Sequence, residues 1–184
     1  MARLTQRFSS PGFNLVEAAI VLGVVGLVIG GIWVAAASVS EAIKTTQMAA
    51  GINYFIDKAI AIYDKNTAGL TGGGTSTPAP LAMFEPLPAG FTSDGITPFG
   101  TSYSLVTFKS GSVGTAGATF IVWTRFPNAA SCTKGIVEIG RNIRLSSIWD
   151  QASTYLTTFP VPFASASSFC VTGYKNIEVR VAVY

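Results

Sequence analysis

Apolar residues follow different periods in different parts of this chain. From Phe13 to Ala37 they are nearly continuous, FNLVEAAIVLGVVGLVIGGIWVAAA. At 1.5 Å rise per residue, a helix of that length crosses a hydrocarbon core of about 30 Å. From Ser40 to about Lys65 the run gives way to helical spacing. Ile52, Phe55, Ile56, Ala59, Ile62 and Tyr63 share one face, while Asn53, Asp57 and Asp64 fall elsewhere. That half predicts an amphipathic helix whose apolar face needs a sheet to cover it. Joined, the two halves make one helix of about 50 residues, on the order of 75–80 Å long. The alternative is a short membrane helix, a hinge near Ser38–Ser40 and a separate core helix.

Residues 66–82, NTAGLTGGGTSTPAPLA, break every period. Their glycines and prolines predict a flexible or extended connection. No lysine follows the glycines in a strand-to-helix context, so a phosphate loop is not indicated. Tyr103–Lys109 and Ala118–Phe126 are rich in Val, Ile, Thr and aromatics, and predict a hairpin. The end of the chain alternates cleanly. Ile177, Val179, Val181 and Val183 face one way, and Glu178, Arg180, Ala182 and Tyr184 the other, as in a half-buried antiparallel strand. Between them, Cys132, Ile136, Ile139 and Ile143 suggest a helix over Ser131–Ile143 with Ser131 as its cap, weakened by Gly135 and Gly140. Residues 144–149 then form a strand. The fold class expected is α+β, a long N-terminal helix packed on an antiparallel sheet.

Composition narrows this picture. Charged residues make up only 11% of the 184, about half the globular average of roughly 25%. Arg3 and Arg7 supply two units of the formal charge of +3 and precede the apolar run, which places the N-terminus in the cytoplasm and the rest outside. No basic stripe with interleaved aromatics is present, so direct nucleic-acid binding is not expected. The chain has no histidine, which removes the commonest general base and zinc ligand. No nucleophile–base set or carboxylate pair stands out, so neither an enzyme nor a cofactor is expected. Cys132 and Cys170 are the only cysteines. Outside the membrane an oxidising compartment favours a disulfide between them, with two free thiols as the alternative. Lys134, Arg141, Arg144 and Lys175 lie in or just beyond the bridged region, where scattered charges ordinarily solvate a face.

Glu17 is the residue a plain anchor does not explain. It is a lone carboxylate within the apolar run, and a charge at the centre of a membrane helix costs about 2.5–3.5 kcal/mol, less near the end. An interfacial position reaching the headgroups is the simpler account. Gly23, Gly26, Gly30 and Gly31 suit close helix approach, though glycine is common in membrane helices anyway.

A basic leader, Gly12, a hydrophobic Phe13, Glu17 as the fifth residue after Gly12, and the run GFNLVEAAIVLGVVGLV together resemble the class III leader of type IV prepilins. The resemblance covers residues 8–35 closely and the rest in architecture only. It implies cleavage after Gly12 by prepilin peptidase and N-methylation of Phe13. It also implies that Glu17 pairs with the Phe13 amine of a neighbouring subunit during assembly. The implied division is a leader over 1–12, a membrane and filament-core half-helix over 13–37 and an amphipathic half-helix over 38–65. A connecting loop over 66–98 and a sheet head over 99–184 follow, with 132–170 bounded by the disulfide. The implied fold is the pilin fold. The implied partners are other copies of the chain in a helical homopolymer, the peptidase, and an inner-membrane assembly platform with its ATPase. The precursor would sit in a bacterial inner membrane and the product in an extracellular filament for adhesion, motility, DNA uptake or conjugation. IVLGVVG and the lack of proline near Val34 are similar to type IVb pilins, whereas the twelve-residue leader and the Phe start depart from many of them. A type II secretion pseudopilin shares the leader and Glu17 but carries an acidic calcium loop not evident here. A minor pilin and an uncleaved, single-span anchored binding domain are further readings.

Overall fold

The computed structural model describes residues 14–63, 76–109, 118–151, 154–173 and 176–183. Helix α1 runs over Leu15–Tyr63, Ser38–Ser40 included. Its contacts assign residues up to Ser40 to one compact unit and Glu41–Tyr184 to a second. In the second unit the strands are β1 (Ser76–Pro78), β2 (Ser104–Lys109), β3 (Ala118–Thr124), β4 (Leu145–Trp149), β5 (Tyr155–Leu156) and β6 (Ile177–Val183). Helices α2 (Ala129–Ile139) and α3 (Phe163–Gly173) join them, with a 3-10 turn at Leu81–Phe84. The strands form one sheet in the order β1-β2-β3-β6-β4-β5, and every pairing is antiparallel. The fold is α+β, with the helix packed on the sheet.

The amphipathic part of α1 explains why the sheet forms where it does. Met48, Ile52, Phe55, Ile56, Ala59 and Tyr63 are buried, three or four residues apart, so one stripe faces inward. The strands answer with period two: Leu105, Phe120, Val122, Ile148, Val179 and Val181 are buried in the same core. Phe55 is its hub. Its ring centroid lies 5.3 Å from that of Phe91, 5.5 Å from Tyr103 and 5.8 Å from Phe84. Edge-to-face and offset aromatic pairs of this kind add about 0.5–1.5 kcal/mol each beyond area burial.

Four expectations are corrected. Ser131 does not cap α2. Asn128 does, its side-chain oxygen accepting the Ser131 N–H at 2.9 Å, so the helix starts earlier, at Ala129. The helix also stops at Ile139, leaving Ile143 81% exposed rather than in the apolar row. Gly135 is tolerated inside α2 because the Phe126 ring occupies the space a β-carbon would need, 2.4 Å away. The Gly/Thr/Pro-rich stretch contributes an element after all: β1 pairs Ser76, Thr77 and Pro78 with Phe108, Thr107 and Val106. Proline fits there because β1 is an edge strand. Finally, β6 is not simply half-buried. It lies between β3 and β4, and Glu178 on its second face is only 3% exposed.

Candidate assembly site on the N-terminal helix

The first turn of α1 is built around Asn14. Its side-chain oxygen accepts the Val16 N–H at 3.2 Å and its carbonyl accepts the Ala18 N–H at 3.1 Å, which satisfies an otherwise orphan donor at the helix start. Glu17 falls in that same first turn, where a carboxylate also complements the positive end of the helix dipole. It is exposed, and no cation pairs with it among the described residues. Gly12 and Phe13, the expected cleavage and methylation residues, lie outside the described residues, as do Arg3 and Arg7.

Around Glu17 the helix is apolar on all sides. Leu15, Ile20, Leu27, Ile32 and Trp33 are all exposed, Leu27 to 79%. A β-carbon at Gly23, Gly26, Gly30 or Gly31 would meet nothing within 4 Å. Nothing among the described residues packs against these glycines. This part of α1 is long and apolar enough to cross a membrane, and none of it is buried. A helix hydrophobic all round is stable only when something covers it.

From Glu41 onward the helix is locked to its own head. The Glu41 carboxylate accepts hydrogen bonds from the Ser131 hydroxyl and from the Asn128 amide, the latter at 3.0 Å. Both donors belong to the first turn of α2, whose dipole also favours an anion there. The Ser131 hydroxyl, then the Asn128 amide and the nearby Lys134 charge hold the Glu41 carboxyl below the usual range. Two longer links tie the segment after α2 to α1. Asn142 donates to Asn53 at 3.3 Å, and Arg144 approaches Asp57 at 3.5 Å. Sequence reasoning had no signal for Glu41, whose partners are about ninety residues away.

The disulfide joins Cys132 on α2 to Cys170 on α3, with both residues fully buried. The cations of this region make no cluster. Arg141 pairs with Glu138 at 2.9 Å, Arg144 reaches Asp57, and Lys175 lies outside the described residues. Among the described residues no group of three or more potential metal ligands occurs. The sequence matches no protein-family model, and comparison with curated proteins gives no significant match.

Proposed function

We propose that this chain is a structural subunit of a type IV pilus-like filament, held in a membrane by the first part of α1 before assembly. The observation that carries the reading is Glu17, a carboxylate with no cation partner among the described residues, on the stretch of α1 where exposed apolar side chains dominate. A helix of that kind needs lipid or other copies of itself around it. Lipid alone explains the apolar surface and, at the interface, lets Glu17 reach the headgroups, but it gives the carboxylate no fixed cation. A neighbouring copy supplies both, because a helix packed against helices is covered, and the amine of a cleaved Phe13 terminus is a cation of the right sign. In a water-poor setting that pair fixes axial register more than it adds stability. The glycines, against which no described residue packs, allow close approach between helices. The sheet head, linked to the lower part of the helix through Glu41, Asn53 and Asp57, then forms the outer layer.

The second reading is an uncleaved, single-span anchor for a binding domain. The place of Glu17 in the capped first turn favours it, since the helix dipole gives a carboxylate some reason to be there without a partner. N-terminal mass spectrometry of material sheared from cells decides between them. The filament reading requires a chain beginning at methylated Phe13 in the sheared fraction. An intact Met1 terminus confined to the membrane fraction leaves only the anchor.

A further inference from the structure

Two tryptophans flank Glu178 on the face of the sheet away from α1: Trp123 on β3 and Trp149 on β4 are its cross-strand neighbours. Their surroundings differ. Tyr155 stacks on Trp149 with ring centroids 5.4 Å apart and planes 6° from parallel, and the Arg180 guanidinium covers it at 4.8 Å. Trp123 remains 38% exposed, with no ring or cation stacked on it among the described residues. It lines a cavity of about 280 Å³ at the end of β2, β3 and β6.

Tyr103 and Ile177 extend the apolar wall, and Ser102, Ser104, Arg125, Gln151 and Asn176 add polar groups, with no carboxylate among the described lining residues. Glu178, just behind, is neutralised. Arg180 Nε and Nη2 donate to one of its oxygens at 3.0 and 2.5 Å, and Gln151 Nε2 donates to the other at 2.9 Å. Because a carboxylate only accepts, that last bond fixes the Gln151 amide with its nitrogen toward Glu178 and its carbonyl oxygen left as an acceptor. Gln151 is also the one non-glycine residue at positive φ, 60°, among the described residues. A backbone held in that region is uncommon and concentrates at ligand-binding positions. No carboxylate pairs with the Arg125 guanidinium among the described residues.

We propose that this cavity binds a carboxylated monosaccharide. The volume sits just below the usual range of about 300–1,000 Å³ for small-molecule sites, which suits one sugar ring rather than a larger ligand. The C–H face of a pyranose is apolar with slightly positive hydrogens, and it lies on the negative face of an indole. The Trp123 ring provides that platform. The Arg125 fork takes the carboxylate in a charge-assisted pair. The Gln151 carbonyl, the Asn176 amide and the serine hydroxyls pair with sugar hydroxyls that act as both donors and acceptors. The inference does not depend on filament formation.

The test uses the full-length chain in a non-glycosidic detergent, with saturation-transfer NMR and titration of N-acetylneuraminic acid, glucuronic acid, glucose and an oligothymidylate. Both acidic sugars should bind, and glucose at least about tenfold more weakly. Trp123→Ala should abolish binding of all three sugars, and Trp123→Phe should retain part of it. Arg125→Gln should bring the acidic sugars to the level of glucose, and Arg144→Gln should change nothing. Should Trp123→Ala fail to fold, the phenylalanine and Arg125 variants decide alone. Absence of transfer from both acidic sugars overturns the proposal. So does transfer unaffected by the Trp123 and Arg125 variants, glucose binding as strong as acidic-sugar binding, or displacement of the sugars by the oligothymidylate.

Discussion

Glu41 and Ser131, ninety positions apart, are joined by a direct hydrogen bond from the serine hydroxyl to the carboxylate. The bond ties the first turn of α2 to the long helix, and its effect on the carboxyl pKa is downward. A group whose folded pKa is lowered stabilises the fold above its unfolded value and loses that contribution as pH falls through the folded value. For Glu41 the loss therefore begins near the ordinary value of 4.5 and continues below it. Thermal unfolding of the full chain in detergent should show a Tm that falls below pH 4.5. Glu41→Gln should lower Tm at pH 7 and flatten that acid-side fall. The same pH dependence in the variant would assign the effect to other carboxylates.

The Cys132–Cys170 bond closes a separation of 38 residues and is wholly buried between α2 and α3. In the chain-entropy account, a loop of this length stabilises the native state by about 3–4 kcal/mol. The double variant Cys132→Ser, Cys170→Ser should lose about that much in urea unfolding, plus the cost of two buried hydroxyls. Because neither sulfur meets solvent, reductant should act on the folded protein only as fast as the head opens.

The strands β2, β3 and β6 lie where the sequence places them, β6 from its clean alternation and β2 and β3 from their runs of Val, Ile, Thr and aromatics. Helix α3 was not legible. Its sequence, FASASSFCVTG, mixes small residues with serines and shows no marked apolar stripe, so its position follows from the disulfide and from packing on α2. β1 was missed because main-chain pairing with β2 recruits it, not any side-chain period. The cap of α2 was misplaced because Asn128 and Ser131 are both good caps, and only the geometry shows which carbonyl-side oxygen meets which N–H. Glu178 looked like a solvent-facing residue. Its burial depends on Arg180 two residues on and on Gln151 from another loop, a three-way contact no linear period encodes.

At Gly51, α1 approaches the loop before β2 closely. A β-carbon there would lie 2.1 Å from Phe91 Cε2. The gain in helix propensity from Gly51→Ala, about 1 kcal/mol, is smaller than the repacking of a buried ring, about 1–3 kcal/mol. The substitution should therefore be destabilising overall, and Phe91→Leu in the same chain should recover part of the loss. A Tm raised by Gly51→Ala would show that the ring moves freely.

Glu178 and Arg180 form a partly buried ion pair, with the carboxylate almost fully enclosed and the guanidinium about a quarter exposed, at 27%. Arg180→Met leaves the carboxylate without its main partner and removes the cover from Trp149. Breaking a buried pair on one side costs about 3–5 kcal/mol, and the exposure of Arg180 puts the expected loss at or below the lower end. Glu178→Gln combined with Arg180→Met should cost less than Arg180→Met alone. Equal costs in urea unfolding would mean that the loss comes from packing on Trp149 rather than from the stranded charge.

On the filament proposal, Glu17 should separate processing from polymerisation, because the proposed cut after Gly12 does not require its charge. Glu17 is central to register if it meets the amine of a neighbouring chain. Glu17→Val removes the charge and makes the helix more favourable in lipid, by the roughly 2–3 kcal/mol that a buried carboxylate costs. A simple anchor should then sit in the membrane at least as well as before. A filament subunit should still be cleaved and still accumulate in the membrane, yet yield few or no sheared filaments. Glu17→Gln, which keeps the shape and a hydrogen-bond acceptor but not the charge, should be impaired nearly as much if pairing with a cation is the role, and much less if only the polarity of the side chain matters. Cleavage by mass spectrometry and filament yield from sheared cells are read in parallel on the same cultures. Normal filaments from Glu17→Val would remove Glu17 from assembly altogether.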